Sequence, residues 1–102
     1  MTSRVDFDRY WGAQLSAIEY DCKSMSMVFV LFWTIDSRPC CARLQFNGVS
    51  RCELAAEKVF ESEVVELVSL EGRHADGYWH IAGELSNYEF SIRCVDIQDD
   101  AS

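Results

Sequence analysis

Residues 78–94, Tyr-Trp-His-Ile-Ala-Gly-Glu-Leu-Ser-Asn-Tyr-Glu-Phe-Ser-Ile-Arg-Cys, place apolar side chains at every second position on either side of Ser86-Asn87. A period of two is the mark of a half-buried strand. With Ser86-Asn87 as a two-residue loop, Leu85 faces Tyr88, Gly83 faces Phe90, Ile81 faces Ile92 and Trp79 faces Cys94. All of these project from one side. Tyr78, His80, Ala82 and Glu84 meet Val95, Arg93, Ser91 and Glu89 on the other. Gly83 suits its place opposite Phe90, because an aromatic ring can lie over a strand glycine.

The stretch from Met25 to Gly48 has the same form. With Asp36-Ser37-Arg38-Pro39 as a four-residue loop, Ile35, Trp33, Leu31 and Phe29 oppose Cys40, Ala42, Leu44 and Phe46. The first of these strands is apolar on its second face too, through Val28, Val30 and Phe32. Antiparallel sheets usually wet one face, so this one predicts a cover: a helix, a second sheet layer or another chain.

Two segments offer themselves as helices. Residues 5–18 carry Phe7, Tyr10, Trp11, Gln14, Leu15 and Ile18 near helical spacing, with Asp6 as a candidate N-cap. Gly12 disfavours a long helix, so the preferred division is a helix through Trp11 and then a strand from Gln14 to Asp21. The second helix starts at Ser50-Arg51-Cys52-Glu53, which has the Ser-x-x-Glu form of a capping box. Residues 63–71 suit a helix through Val64, Leu67, Val68 and Glu71 and a strand through their β-branched content. Asp76-Gly77 ahead of Tyr78 signals a hairpin, so the preferred reading is a strand from Glu63 to about Leu70. The terminal stretch 97–102 reads as a frayed, solvated tail. The expected architecture is α+β: one domain over residues 1–102, with a mainly antiparallel sheet of five or six strands and one or two short covering helices.

Charge narrows the partners. Nine Lys and Arg against seventeen Asp and Glu give a net −8. Nucleic-acid affinity rests on cations at phosphates, and anionic membranes attract polybasic segments; this chain suits neither. An acidic field instead favours encounter with a basic protein. Five cysteines, Cys22, Cys40, Cys41, Cys52 and Cys94, form an odd set with two neighbours. No signal-peptide pattern precedes the domain, and the longest apolar run is too short for a membrane span. Together these features predict free thiols in a reducing cytoplasm.

Candidate chemistry is sparse. The cysteines and the histidines, His74 and His80, lack paired zinc-ligand spacing. There is no Gly-x-Ser-x-Gly elbow and no phosphate-cradling glycine loop. The expectation is a protein with no catalytic residues, no metal and no cofactor. One arrangement stands out: Glu53, Glu57 and Glu61 recur every four residues and would stack on one face of the second helix, with Glu63 and Glu66 following. Like charges at that spacing cost a helix a few tenths of a kcal/mol per pair. This acidic ridge, with Tyr78 as an aromatic anchor, is the candidate partner-binding surface; Phe32 is a further anchor if exposed.

The segment 10–21, Tyr-Trp-Gly-Ala-Gln-Leu-Ser-Ala-Ile-Glu-Tyr-Asp, followed by a strand and then Leu-Gln-Phe-Asn-Gly-Val-Ser at 44–50, resembles small bacterial domains of the YxiG-like type. It is also similar in general build to the immunity proteins of bacterial toxin–immunity pairs. The matching positions, among them Trp11, Ile18, Tyr20, Phe46 and Gly48, cover about the first half of the chain. The resemblance implies a cytoplasmic protein that binds and blocks a cognate toxin without catalysis of its own. The expected function is therefore a small acidic protein-binding module, in its most concrete form an immunity-type inhibitor occluding a basic toxin. The alternatives are a small-ligand-binding or enzymatic half-barrel, marked by a pocket lined by Cys41, His80 or Arg93, and a homodimer or larger homo-oligomer packed through Val28, Val30 and Phe32.

Overall fold

The computed structural model describes residues 7–56, 65–86 and 88–101. Among them the chain is almost entirely strand. A 3-10 turn at Phe7–Tyr10 precedes β1 (Gln14–Asp21), β2 (Ser26–Ile35), β3 (Arg38–Asn47), β4 (Arg51–Ala56), β5 (Leu67–Ala75), β6 (Tyr78–Leu85), β7 (Tyr88–Cys94) and β8 (Asp96–Ala101). They form two four-stranded antiparallel sheets, in the orders β1-β2-β3-β8 and β4-β7-β6-β5.

Two corners join the sheets. At the first, β3 passes into β4 and β7 into β8, so β3 pairs with β8 in one sheet and β4 with β7 in the other. Gly48 makes this bend with φ 64°, and a Cβ there would press to 2.9 Å from the Val95 side chain. The bend keeps its backbone bonds: Val95 donates to the Asn47 carbonyl at 2.9 Å and Ser50 to the Arg93 carbonyl at 2.8 Å. At the second corner β1 meets β5. Leu67 donates to the Ala13 carbonyl at 2.8 Å and Leu15 to that of Val65 at 2.7 Å. Register shifts at Leu15/Ala17 and Leu67/Ser69 flank this seam, and such bulges turn a strand without abandoning its pairing.

The space between the sheets is filled by their inner faces. Phe29, Leu31, Leu44 and Phe46 from the first meet Leu70, Ile81, Phe90 and Ile92 from the second. Phe29 packs edge-on against both Phe46 and Phe90, with centroids 5.2 and 5.3 Å apart; each such contact contributes about 0.5–1.5 kcal/mol beyond area burial. The 3-10 turn plugs one end. Tyr10 is wholly buried against Trp33 and donates its hydroxyl to Asp99 Oδ2 at 2.7 Å.

The covering helices of the α+β expectation are absent from the described residues. The first shrinks to the turn at Phe7–Tyr10, because Gly12 adopts φ 87° and its N–H bonds the Leu67 carbonyl. The second is a strand over Arg51–Ala56. Ser50, the supposed N-cap, spends its N–H on Arg93, and the next six residues complete the ladder of β7, whose edge would otherwise lack partners. Residues 97–101, read as frayed, lie in β8, where Ile97 is buried against the core. Of the strand read over 63–70, residues 63 and 64 lie outside the described residues, Leu67–Leu70 is strand, and β5 continues to Ala75.

The hairpin at 78–94 pairs as the alternation predicts, with Gly83 opposite Phe90 and Trp79 opposite Cys94. The strand Gln14–Asp21 also has the expected bounds. The β2–β3 register differs by two residues. Its loop is Asp36-Ser37 alone, so Ile35 pairs with Arg38, Trp33 with Cys40 and Met27 with Phe46. Both loop residues have positive φ, 50° and 64°, as in a type I′ turn. Pro39 is tolerated because β8 pairs with β3 only from Ala42 onward.

Candidate functional site

The side chains left outside the core form two outer faces of different chemistry. On the first sheet, β2 presents Val28, Val30 and Phe32 outward. No helix covers this stripe among the described residues. Val28 and Val30 are half-buried, and Phe32 is 41% exposed. Their partial cover is an ion pair: Arg43 of β3 reaches Glu19 of β1 at 3.3 Å. Glu19 pairs opposite Val28 and Arg43 opposite Val30, so the two stems lie across the strand between them. Acids stand at both margins, Glu19 and Asp21 on β1, Asp96 and Asp100 on β8. Asp21 also accepts the backbone N–H of Lys23 at 2.9 Å, fixing the β1–β2 turn.

The outer face of the second sheet is ordered in transverse rows. Register aligns Arg73 of β5, His80 of β6, Arg93 of β7 and Arg51 of β4 in a single row across all four strands. The next row reads Glu71, Ala82, Ser91, Glu53, and the one beyond sets Glu84 directly opposite Glu89. The short side chains of Ala82 and Ser91 leave a concavity of about 560 Å3 between the flanking charges. Arg93 is held in place: Nε donates to Ser50 Oγ at 2.8 Å, and its guanidinium carbon lies 5.2 Å from the centroid of the Tyr78 ring. Arg51 turns along its own strand to Glu53, with Nε 2.9 Å from Oε1.

Of the acidic ridge, only Glu53 and Glu66 fall among the described residues, and neither stands on a helix. Glu53 projects from a strand and is bound to Arg51; Glu66 sits at the β1–β5 seam, where its backbone pairs with Ser86. Glu57, Glu61 and Glu63 lie outside the described residues. Tyr78, 38% exposed, belongs to the second sheet's face, as Glu53 does, while Phe32 belongs to the other. What sequence inspection missed is the Arg51–Arg73–His80–Arg93 row. The pair His80–Arg93 was readable in the hairpin register, but the flanking arginines arrive only through two further strand pairings.

Cys22, Cys41 and Cys52 are exposed and Cys40 is half-buried. Cys94 is buried, and burial together with the Asp96 carboxylate pushes its thiol up to about 11, against a partial offset from a backbone hydrogen bond. Burial, then the neighbouring Glu53, also raises the Cys52 thiol. Neither arrangement activates a thiolate. Cys41 is exposed on the first sheet's outer face and does not reach His80 or Arg93, which belong to the other sheet. Among the described residues no group of three or more His, Cys, Asp or Glu is placed to hold a metal ion, and no helix is long and apolar enough to cross a membrane. In comparisons with known proteins, no family model matches the chain and no curated relative matches its sequence.

Proposed function

We propose that the protein is a binding module that presents the outer face of its first sheet to a basic protein partner. The observation that carries this reading is Phe32, exposed at the end of the Val28–Val30–Phe32 stripe on a face whose margins bear Glu19, Asp21, Asp96 and Asp100. Phe32 stands at one end of the apolar stripe and Asp21 and Asp96 flank its other end, so an aromatic anchor and carboxylates share one face, as they do in many protein interfaces. The carboxylates steer the encounter, and the aromatic ring supplies much of the affinity once desolvated. The mechanism is occlusion, and an immunity-type inhibitor of a basic toxin is its most concrete form. An odd set of five cysteines, three of them exposed, supports a reducing cytoplasm as the place where it works.

The test is capture from the lysate of the protein's own host by the wild type and by Phe32→Asp, at low and high salt. A basic protein retained stoichiometrically by the wild type, released as salt rises and not retained by Phe32→Asp supports the reading. Capture that ignores both the salt and the substitution refutes it, as does a lysate that yields no partner.

A further inference from the structure

The cationic row on the second sheet lies on a surface the proposed protein interface does not use. Only nine Lys and Arg stand in a chain of net −8, yet three of the arginines and one of the two histidines share a single row over one concavity. Such a row costs folding energy through mutual repulsion unless something offsets it. Arg51 is offset by Glu53. Arg73 and His80 are not: neither side chain forms a hydrogen bond or ion pair among the described residues. Arg93 is fixed by Ser50 and Tyr78 through Nε and the guanidinium face, which leaves its terminal nitrogens directed to neither.

Arg73 and Arg93 are two strands apart, about 10 Å between backbones at ordinary sheet spacing, with His80 between them. Two long, forked donors flanking an imidazole can converge on one compact oxyanion, and arginine does this with bidentate geometry. One row further on, the small Ala82 and Ser91 give room for the rest of a ligand. Glu71, whose carboxylate forms no hydrogen bond or ion pair among the described residues, stands beside that room as an acceptor. A volume of about 560 Å3 is that of a small-molecule site.

We propose that the outer face of the second sheet is a binding site for a phosphorylated small molecule bearing an amino or hydroxyl group. The phosphoryl group sits on Arg73, His80 and Arg93. The amino or hydroxyl group lies over Ala82 and Ser91 within reach of the Glu71 carboxylate. The site rests on the second sheet alone, so it stands or falls independently of the partner face around Phe32.

The experiment is a titration followed by the imidazole NMR resonances of His80, with His74 as the internal reference. The probes are inorganic phosphate and phosphoethanolamine. Expected are saturable shifts at His80 with both, tighter for phosphoethanolamine. Arg73→Gln and Arg93→Gln should each weaken binding about tenfold or more, while Arg43→Gln, on the opposite sheet, leaves it unchanged. Glu71→Gln should abolish the preference for the aminated probe. Absence of saturation at His80 overturns the site, as does a response that survives both Arg73→Gln and Arg93→Gln. A phosphoserine peptide that binds far more tightly than phosphoethanolamine overturns the small-molecule assignment in favour of a protein ligand.

Discussion

Phe32 and Tyr78, exposed aromatic residues on the sheet strands, point away from each other: Phe32 leaves the outer face of the first sheet and Tyr78 that of the second. One partner surface cannot engage both across the core. Their roles are therefore separable. Phe32→Ala should weaken capture of the basic partner at least tenfold, roughly the 1.4 kcal/mol or more that an interface anchor carries. Tyr78→Ala should leave that affinity within about twofold. Equilibrium titration of the two variants against the captured partner, with thermal melts to show that both remain folded, checks the separation.

Gly83 faces Phe90 so closely that the ring occupies the place of a side chain. A Cβ at Gly83 would overlap the ring and lie 2.5 Å from the Ser69 carbonyl oxygen. The ring tip has some freedom, but the β5 backbone has none without breaking pairs with β6. Gly83→Ala should cost about 1–3 kcal/mol, as overpacking in a filled core does. A lower urea midpoint with an unchanged slope checks it.

The β2–β3 turn is made by two non-glycine residues with positive φ, Asp36 and Ser37. The equivalent β5–β6 turn uses Asp76-Gly77, with φ 56° and 81°. Ser37 thus bears a strain that Gly77 does not. Ser37→Gly should stabilise the protein by roughly 0.5–1 kcal/mol, and Ser37→Val should destabilise it. Thermal or urea unfolding of the pair measures both signs.

Cys94 makes stability depend on alkaline pH. Its folded thiol is raised to about 11 from an ordinary value of 9.0, so the native state keeps a proton that the unfolded chain loses first. Stability contributed at this site is present below about pH 9 and falls as pH rises toward 11. The whole loss is on the order of 2–3 kcal/mol. Cys94→Ala should unfold with a shallower decline over that window. An equal pH slope in both proteins would refute the linkage. Alkylation at pH 8 should likewise modify the exposed Cys22 and Cys41 well before Cys94.

The sequence by itself determined the local hairpins. The alternation of Trp79, Ile81, Gly83 and Leu85 against Tyr88, Phe90, Ile92 and Cys94 fixes register, because a slip of one residue would turn the whole apolar set outward. Asp76-Gly77 marked its own turn, and Gln14–Asp21 was legible as a strand. The β2–β3 hairpin marks the limit of that argument. A shift of two residues keeps the same faces, so the pattern alone could not choose between a four-residue loop and the strained pair Asp36-Ser37. Only the tertiary structure decided the fate of Arg51–Ala56. Its residues suit a capped helix, but β7 offers an open edge of N–H and C=O groups at the place where Gly48 turns the chain, and completing that ladder outweighs a few tenths of a kcal/mol of helix propensity. Glu53, the first member of the glutamate series, therefore projects from a strand rather than from the first turn of a helix. The row of Arg51, Arg73, His80 and Arg93 arose for the same reason. It is assembled from four strands by three pairings, two of them absent from the one hairpin whose register could be read along the chain.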